Sequence, residues 1–548
     1  MIKYPAVFVP VLILICFEAS SQKLKKADKA VISRLTEHVQ YLSDDKLEGR
    51  RAGSNGEQLA AEYISNQFKS AGVLPKGTQG YLQSFPIYEG KQIGKETQLI
   101  INGDEISHDD FFPFAFSPQS TIEAMPAIAL HESGMPWFQD LKEVLEANAA
   151  NPHFDLTDHI RTHTKQVQEK GATALIVYNS SERTDHLSFE AKDVSAKSAI
   201  PVIYVSKDVV KKHFEDESAT LDIKLVTNIE EKYRNGHNVV GYIDNGANST
   251  VVLGAHYDHL GFGEDGNSLV RVNEKLIHNG ADDNASGTSA LIELSRMLTD
   301  KKYKNSNYLF IAFSGEELGL FGSKYFVENP TVDLAKINYM INMDMIGRLN
   351  DSNNAITVGG VGTSPSWSFI SAENKLPFSI KVDSSGSGPS DHTSFYRKDI
   401  PVLFFFTGLH TDYHKPSDDA DKVNTTGSYQ IMLFITNIVN RINKDNQKLA
   451  FTKTKEKQMG TTARFSVSLG IMPDYTFSGP GVKADGVTEG RPAHKAGLKT
   501  GDIVVQLGEM PVNSMEDYMQ ALSKFKKGDN TTVKYKRGET INESPIQF

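Results

Sequence analysis

The sequence predicts an α/β protein: a mixed, mostly parallel sheet flanked by helices, with an inserted domain and a β-rich domain near the C-terminal end. Three observations lead there. From residue 238, short apolar runs alternate with helical periodicity: NVVGYI, STVVLGAHYD, SGTSALIELSRMLTD, NYLFIAFSGEE, INYMINMDMIG and IPVLFFFTG. Strands apolar on both faces belong in a sheet covered on both sides, as parallel sheets are. Residues 111–234 and 460–548 each follow a rhythm of their own, and a chain of 548 residues is too long for one compact core.

The first 21 residues stand apart. Lys3 precedes the apolar run AVFVPVLILICF, and ASSQ offers a small-x-small site at Ala19 and Ser21. This is the pattern of a secretory signal peptide cut before Gln22, so the protein is expected to be exported, to a periplasm or beyond. The run is too short for a membrane span. The single cysteine, Cys16, lies inside it, and bulky Ile15 argues against lipidation there. A mature chain without cysteine cannot rest its stability on disulfides.

Residues 22–110 open with two amphipathic stretches, DKAVISRLTEHVQYL and GEQLAAEYISNQFKSAG, the second closing on Gly72. In 111–234, HTKQVQEKGATALIVYN reads as helix, glycine and buried strand, and IPVIYVSKDVVKKHF as strand then helix. Residues 235–445 carry the alternating core, 446–459 a polar linker, and 460–548 short strands around glycines. A net charge of -10 provides no basic field for nucleic acid or an anionic membrane.

Chemistry concentrates where the apolar runs stop. FSGEEL (313–318) sets Glu316 beside Glu317 after a glycine, VVLGAHYDHLG delivers His256 and Asp258, and HNGADDNASG delivers Asp282 and Asp283 before a helix. INMDMIG delivers Asp344, and GLHTDYHKPSDD delivers His414. In open α/β sheets, sites form outside the carboxyl ends of strands. Two histidines and three carboxylates converging there suit zinc. Asp344 in an apolar run needs a cation, a donor or a proton, because an unpaired buried carboxylate is costly.

His256-Tyr257-Asp258, the Gly280–Gly287 run, Gly315-Glu316-Glu317, Met343-Asp344-Met345 and Tyr413-His414 together resemble the M28 family of dinuclear zinc aminopeptidases. The resemblance spans roughly 27–110 and 235–445. The insert is similar to a protease-associated domain. The last unit resembles a PDZ domain, with SVSLGIMP placed as its carboxylate-binding loop. The resemblance implies two zinc ions: His256 and Asp344 on one, Glu317 and His414 on the other, and Asp282 bridging. It further implies that Asp258 orients His256, that Glu316 is the general base, and that Tyr413 stabilises the oxyanion. The implied substrates are peptides with a free N-terminus, and the PDZ domain implies a peptide or protein ligand of its own.

His259 and His278 flank these motifs but lie off the implied ligand positions. Ser390-Asp391-His392 is a sequence neighbourhood rather than a triad, and the glycines of 261–266 make no dinucleotide fingerprint. A carboxypeptidase, a glutaminyl cyclase on the same core, or a binding module without metals are the competing readings. A binding module should have broken ligand positions, and these are intact.

Overall fold

The computed structural model describes residues 24–454 and 467–548 apart from 150, 152–153, 194, 217, 271–273, 350–353, 374, 446, 474–479, 489, 514, 523 and 539. The expected signal peptide and part of the expected linker lie outside the described residues. By its contacts the chain divides into two compact units, one of residues 1–85 with 236–548 and one of 86–235.

The first unit is organised by a nine-stranded sheet. At its centre Asn307–Phe313, Thr250–His256, Ile337–Met343 and Val402–Phe406 lie side by side and parallel. Val239–Ile243 pairs antiparallel with Tyr308–Ala312 on one side, and Ala355–Gly359 is antiparallel to Val402–Phe406 on the other. The order follows from connectivity. The chain steps from Thr250–His256 through helix Gly287–Met297 to one neighbour, then passes to the opposite side for Ile337–Met343. Crossovers of this kind need a helix-length connection, which the sequence supplies.

Side chains alternate faces along each central strand. Val251, Leu253, Ala255, Phe310, Ile341, Met343, Leu403 and Phe405 enter one core with residues of helices Lys26–Leu42, Asn55–Ser70, Gly287–Met297 and Thr425–Ile442. Val252, Leu309, Ile311, Phe313, Met340 and Val402 enter a second core with Phe326 and Val327 of Phe321–Glu328 and Phe395 and Tyr396 of His392–Tyr396. Every residue of the first three strands is buried, which explains the unbroken apolar runs. The C-terminal region has its own sheet, in the order Ile471–Pro473, Val482–Val487, Ile503–Leu507, Asn530–Arg537 and Thr540–Gln547, around a separate core that includes Leu469, Val504, Val533 and Ile546.

The second unit begins at Pro86, earlier than the sequence rhythm suggested at 111. Gln98–Ile101 and Asp104–Glu105 belong to it because they pair in one sheet with Ile223–Thr227 and Ser120–Ala124, and Leu99 and Ile101 enter its core. A second sheet, Phe111–Pro113, Val202–Val205, Leu175–Tyr178 and Trp137–Asp140, shares that core through Phe138, Ile176, Ile203 and Val205. Its other face is covered by helix Leu156–Glu169 through Ile160 and Val167. The unit closes on itself: the N–H of Gly94 donates to the carbonyl of Asn228 at 2.9 Å, and the N–H of Asn228 donates to Thr97 Oγ1 at 3.0 Å.

A domain with its own two-sheet core and paired ends should fold alone. A fragment of residues 94–228 is expected to melt cooperatively and to protect amides of Leu175–Tyr178 and Val202–Val205 from exchange. Exchange at the rates of an unfolded chain would mean the unit depends on the rest of the protein.

Candidate metal centre

The central strands are in parallel register, so their carboxyl ends arrive together: His256 lies opposite Phe313, and Met343 opposite Phe405. The loops leaving those carboxyl ends come together at one end of the sheet, beside the strand where the connections change direction.

Two sets of ligand atoms face each other there. His256 Nε2 lies 3.2 Å from Asp344 Oδ1 and 3.3 Å from Asp283 Oδ1. His414 Nε2 lies 3.2 Å from Glu317 Oε2 and 3.4 Å from Asp283 Oδ2. Two ligands at about 2.0–2.1 Å from a tetrahedral metal stand ~3.3 Å apart. All four separations match that edge, and Asp283 offers one oxygen to each set. His256, Asp283 and Asp344 form a group able to hold a cation, as do His259, Asp283 and Glu317. The donor set, imidazole and carboxylate with no thiolate, fits zinc.

The charges are interlocked. Burial alone would lower the histidines. Asp344 and Glu316 facing His256, and Glu317 and Asp283 facing His414, instead raise both well above the usual range. Burial pushes on the acids as well, yet the histidines hold Asp283 well below its ordinary value and Glu317 at about 2. Glu316 differs. Burial pushes it well above the usual range; His256 pulls it back, and Asp344, Asp391 and Glu317 add to the rise.

The carboxylate lying between the two sets is that of Asp283, whereas Asp282, the expected bridge, faces His410. Residues 281–286 form an irregular turn rather than a regular helix start, with Asp283 at φ -105°, ψ 91°. That turn aims the two neighbouring carboxylates apart. Asp282 Oδ1 accepts hydrogen bonds from the Gly347 N–H at 2.6 Å and Ser286 Oγ at 3.0 Å, and its Oδ2 lies 3.2 Å from His410 Nε2. Asp418 holds the turn, its Oδ2 accepting from the N–H groups of both Asp282 and Asp283. Motif spacing cannot choose between adjacent acids whose backbone is irregular.

Asp258 also acts differently from expectation. The acceptor nearest His256 Nδ1 is the main-chain oxygen of Asp258 at 3.2 Å; its carboxylate is 3.7 Å away. Asp258 Oδ1 accepts instead from the N–H of Glu316 at 3.2 Å. Asp258 therefore holds His256 with its backbone and the Glu316 segment with its side chain. Gly315 lets the strand turn into that segment at φ 69°. The Tyr413 ring stacks on His414 with centroids 3.9 Å apart.

His278 stays out of the centre, its Nε2 2.8 Å from Ser268 Oγ. Ser390, Asp391 and His392 form no triad. Ser390 Oγ accepts from Asn342 Nδ2 at 2.8 Å, and His392 lies flat on Phe404 with no hydrogen-bond partner for its Nδ1 among the described residues. Burial pushes His392 down to about 3 and Asp391 up to about 7.

Sequence reasoning missed three supports. Arg50 is fully buried and, among the described residues, donates only to backbone carbonyls: Tyr257 at 2.7 Å, Asn279 at 2.6 Å, Gly280 at 3.0 Å, and Leu42. Three of those carbonyls belong to the loops that carry His256 and Asp283. Glu57 accepts from Ser314 Oγ at 2.5 Å and from the His237 N–H at 2.8 Å, holding the strand end before Glu316. His259 reaches Glu317 with Nδ1 at 2.8 Å. Arg50 and Glu57 sit more than 200 residues from the loops they hold, with no periodicity to mark them. His259 is next to Asp258, and its contact with Glu317 leaves no mark in the sequence because it acts on the side chain rather than at a motif position.

Residues 238–439 match the model of peptidase family M28, and residues 454–547 that of the PDZ domain. Aminopeptidase YwaD of Bacillus subtilis is 29% identical over 318 residues, 55% of this chain and 63% of its own. Leupeptin-inactivating enzyme 1 of Streptomyces exfoliatus is 30% identical over 190 residues, 34% of this chain and 39% of its own. The chain thus matches less than two thirds of the length of either relative. Among solved structures, a zinc aminopeptidase from Bacillus subtilis aligns with 78% of this chain and 96% of its own at TM-score 0.41 and 20% identity. Among the described residues no helix is long and apolar enough to cross a membrane.

The Arg50 clamp has a measurable weight. In Arg50→Met the carbonyls lose their donor inside the protein, and each such buried group costs about 1–3 kcal/mol. Urea unfolding should show a loss of at least about 3 kcal/mol. A loss within about 0.5 kcal/mol, the scale of an indifferent surface change, would deny the clamp its role.

Proposed function

We propose that this chain, with its M28 peptidase domain at residues 238–439, is an exported zinc aminopeptidase that removes N-terminal residues from peptides. The observation that carries this reading is Asp283, whose two oxygens face two histidine–carboxylate sets at the spacing of zinc ligands. His256, Asp283 and Asp344 would hold one ion, and Asp283, Glu317 and His414 a second. Bound zinc supplies Lewis acidity toward a peptide carbonyl and makes water easier to deprotonate.

The chain's own groups do the rest. Glu316, next to the ligand Glu317 but pointed differently by the Gly315 turn, takes the proton of the attacking water. It then returns that proton to the leaving nitrogen. The Asp258 carboxylate keeps Glu316 in place through its N–H. Tyr413, its ring fixed against His414, is assigned to donate its phenol hydrogen to the carbonyl oxygen as that oxygen gains charge. The acids of the centre also attract the ammonium of a free N-terminus.

The names of the relatives support peptide substrates. The PDZ domain supports a peptide or protein terminus as a further ligand. The apolar leader of residues 1–21 supports export. The insert is assigned as a protease-associated domain on its resemblance.

Three outcomes test this. Asp283→Asn should empty the site of zinc, whereas Asp282→Asn, whose remaining oxygen can still accept from Gly347, should keep two ions per chain by elemental analysis. The reverse pattern would return the bridge to Asp282. Glu316→Gln should keep its zinc while kcat falls about 10²–10⁴-fold, the usual weight of a positioned acid–base group. Loss of metal in that variant would make Glu316 a ligand. N-acetylating a peptide substrate should lower kcat/KM by at least about 10-fold, since it removes a charge-assisted hydrogen bond. Equal rates on both peptides, or release of the C-terminal residue first, would favour a carboxypeptidase.

A further inference from the structure

We propose that His259 is a positioning residue that restricts Glu317 to metal binding through one oxygen; this rests on the two-zinc reading above. A carboxylate can meet a cation with one oxygen or with both, and the choice depends on what occupies the second oxygen. Glu317 has its oxygens divided. Oε2 faces His414 Nε2 at 3.2 Å, whereas Oε1 lies 2.8 Å from His259 Nδ1.

The distances separate His259 from the ligands. A nitrogen sharing a metal with Asp283 and Glu317 should stand ~3.3 Å from an oxygen of each. His414 does so, at 3.4 and 3.2 Å. His259 Nδ1 is at ordinary hydrogen-bond length from Glu317 and 4.0 Å from Asp283. Its Nδ1–H donates to Glu317 Oε1.

The ring cannot easily do otherwise. It is only 2% exposed, its Nε2 has no hydrogen-bond partner among the described residues, and it meets the His414 ring edge-on at 5.8 Å. Its main-chain N–H donates to the Arg50 carbonyl at 3.2 Å, so the Arg50 segment sets where the ring starts. On its far side lies Gly280, at φ 55°, where a Cβ would come within 2.5 Å of the ring. Backbone and neighbour together aim one nitrogen at one oxygen. Glu317 thus keeps the role of ligand and leaves proton transfer to Glu316.

Two amides of different length test this on the full-length protein. In His259→Asn the amide nitrogen stands where Nδ1 stands and can still donate to Glu317. In His259→Gln it reaches toward the Nε2 position and cannot. His259→Leu removes the donor altogether. Each variant is equilibrated at a series of buffered free-zinc concentrations, bound zinc is counted by elemental analysis, and folding is followed by circular dichroism and thermal melting. We expect two ions in the wild type. The weaker site should lose affinity about 10–100-fold in His259→Gln and His259→Leu, the usual effect of removing a ligand's hydrogen-bond partner, and be retained in His259→Asn. Should His259→Leu fail to fold, the Asn and Gln pair still decides. Asn as weak as Gln would overturn the proposal, because the hydrogen bond would not be the cause. Unchanged affinity in both Gln and Leu would overturn it while leaving the two-zinc reading standing. A wild type that binds one ion would remove both.

Discussion

A carboxylate leaves water only when something answers its charge, and this protein buries an unusual number of them at one end of a sheet. Asp258, Asp282, Asp283, Asp391 and Asp418 are all buried there, with Asp344 beside them. Their answers are specific. His256 and His414 face Asp283 and its partners, His410 faces Asp282, and Arg348 donates to Asp418 at 2.8 Å. Arg50 adds a cation bonded to no carboxylate among its hydrogen-bond partners, so its field acts on Asp258 and Asp283 from behind. Asp391 is the exception: neither of its oxygens has a hydrogen-bond partner among the described residues, and burial pushes its carboxyl up to about 7.

The centre also holds backbone in conformations that side chains resist. Met345, after Asp344, has φ 51°, and His414 has φ 53°. Left-handed conformations cost a non-glycine residue roughly 1–2 kcal/mol. Hydrogen bonds offset the cost: the Met345 N–H donates to Asn284 Oδ1, its carbonyl accepts from Thr407 Oγ1 at 2.6 Å, and the His414 carbonyl accepts from Leu269. The strain falls on the residues that aim ligands, where a regular strand or helix would point them elsewhere.

The different placements of Glu316 and Glu317 depend on segments distant in sequence. Gly315 permits the turn. Glu57 and Asn238 hold Ser314 just before it, through Oγ and N–H. Asp258 holds the Glu316 N–H, and His259 holds the Glu317 carboxylate. The two neighbours are held differently by one loop, Glu316 by its main-chain N–H and Glu317 by its carboxylate.

The parallel sheet was legible because it leaves a linear trace: a strand buried on both faces must be apolar throughout, and Thr250–His256, Asn307–Phe313 and Ile337–Met343 are nearly so. Acids and histidines at the ends of those runs marked the site for the same reason, since polarity at the edge of an apolar run is a local signal. The start of the second unit at Pro86 left no such trace, because Gln98–Ile101 declares its sheet only by pairing with Ile223–Thr227. The choice of Asp283 over Asp282 depended on an irregular turn held by Asp418, and the roles of Arg50, Glu57 and His259 on contacts made across the fold. Thus the sequence by itself determined the architecture and the residue types of the centre, because burial and periodicity act along the chain. Which carboxylate lies between the two histidine–carboxylate sets, and what steadies each side chain, only the tertiary structure decided, because direction in an irregular loop is set by partners distant in sequence.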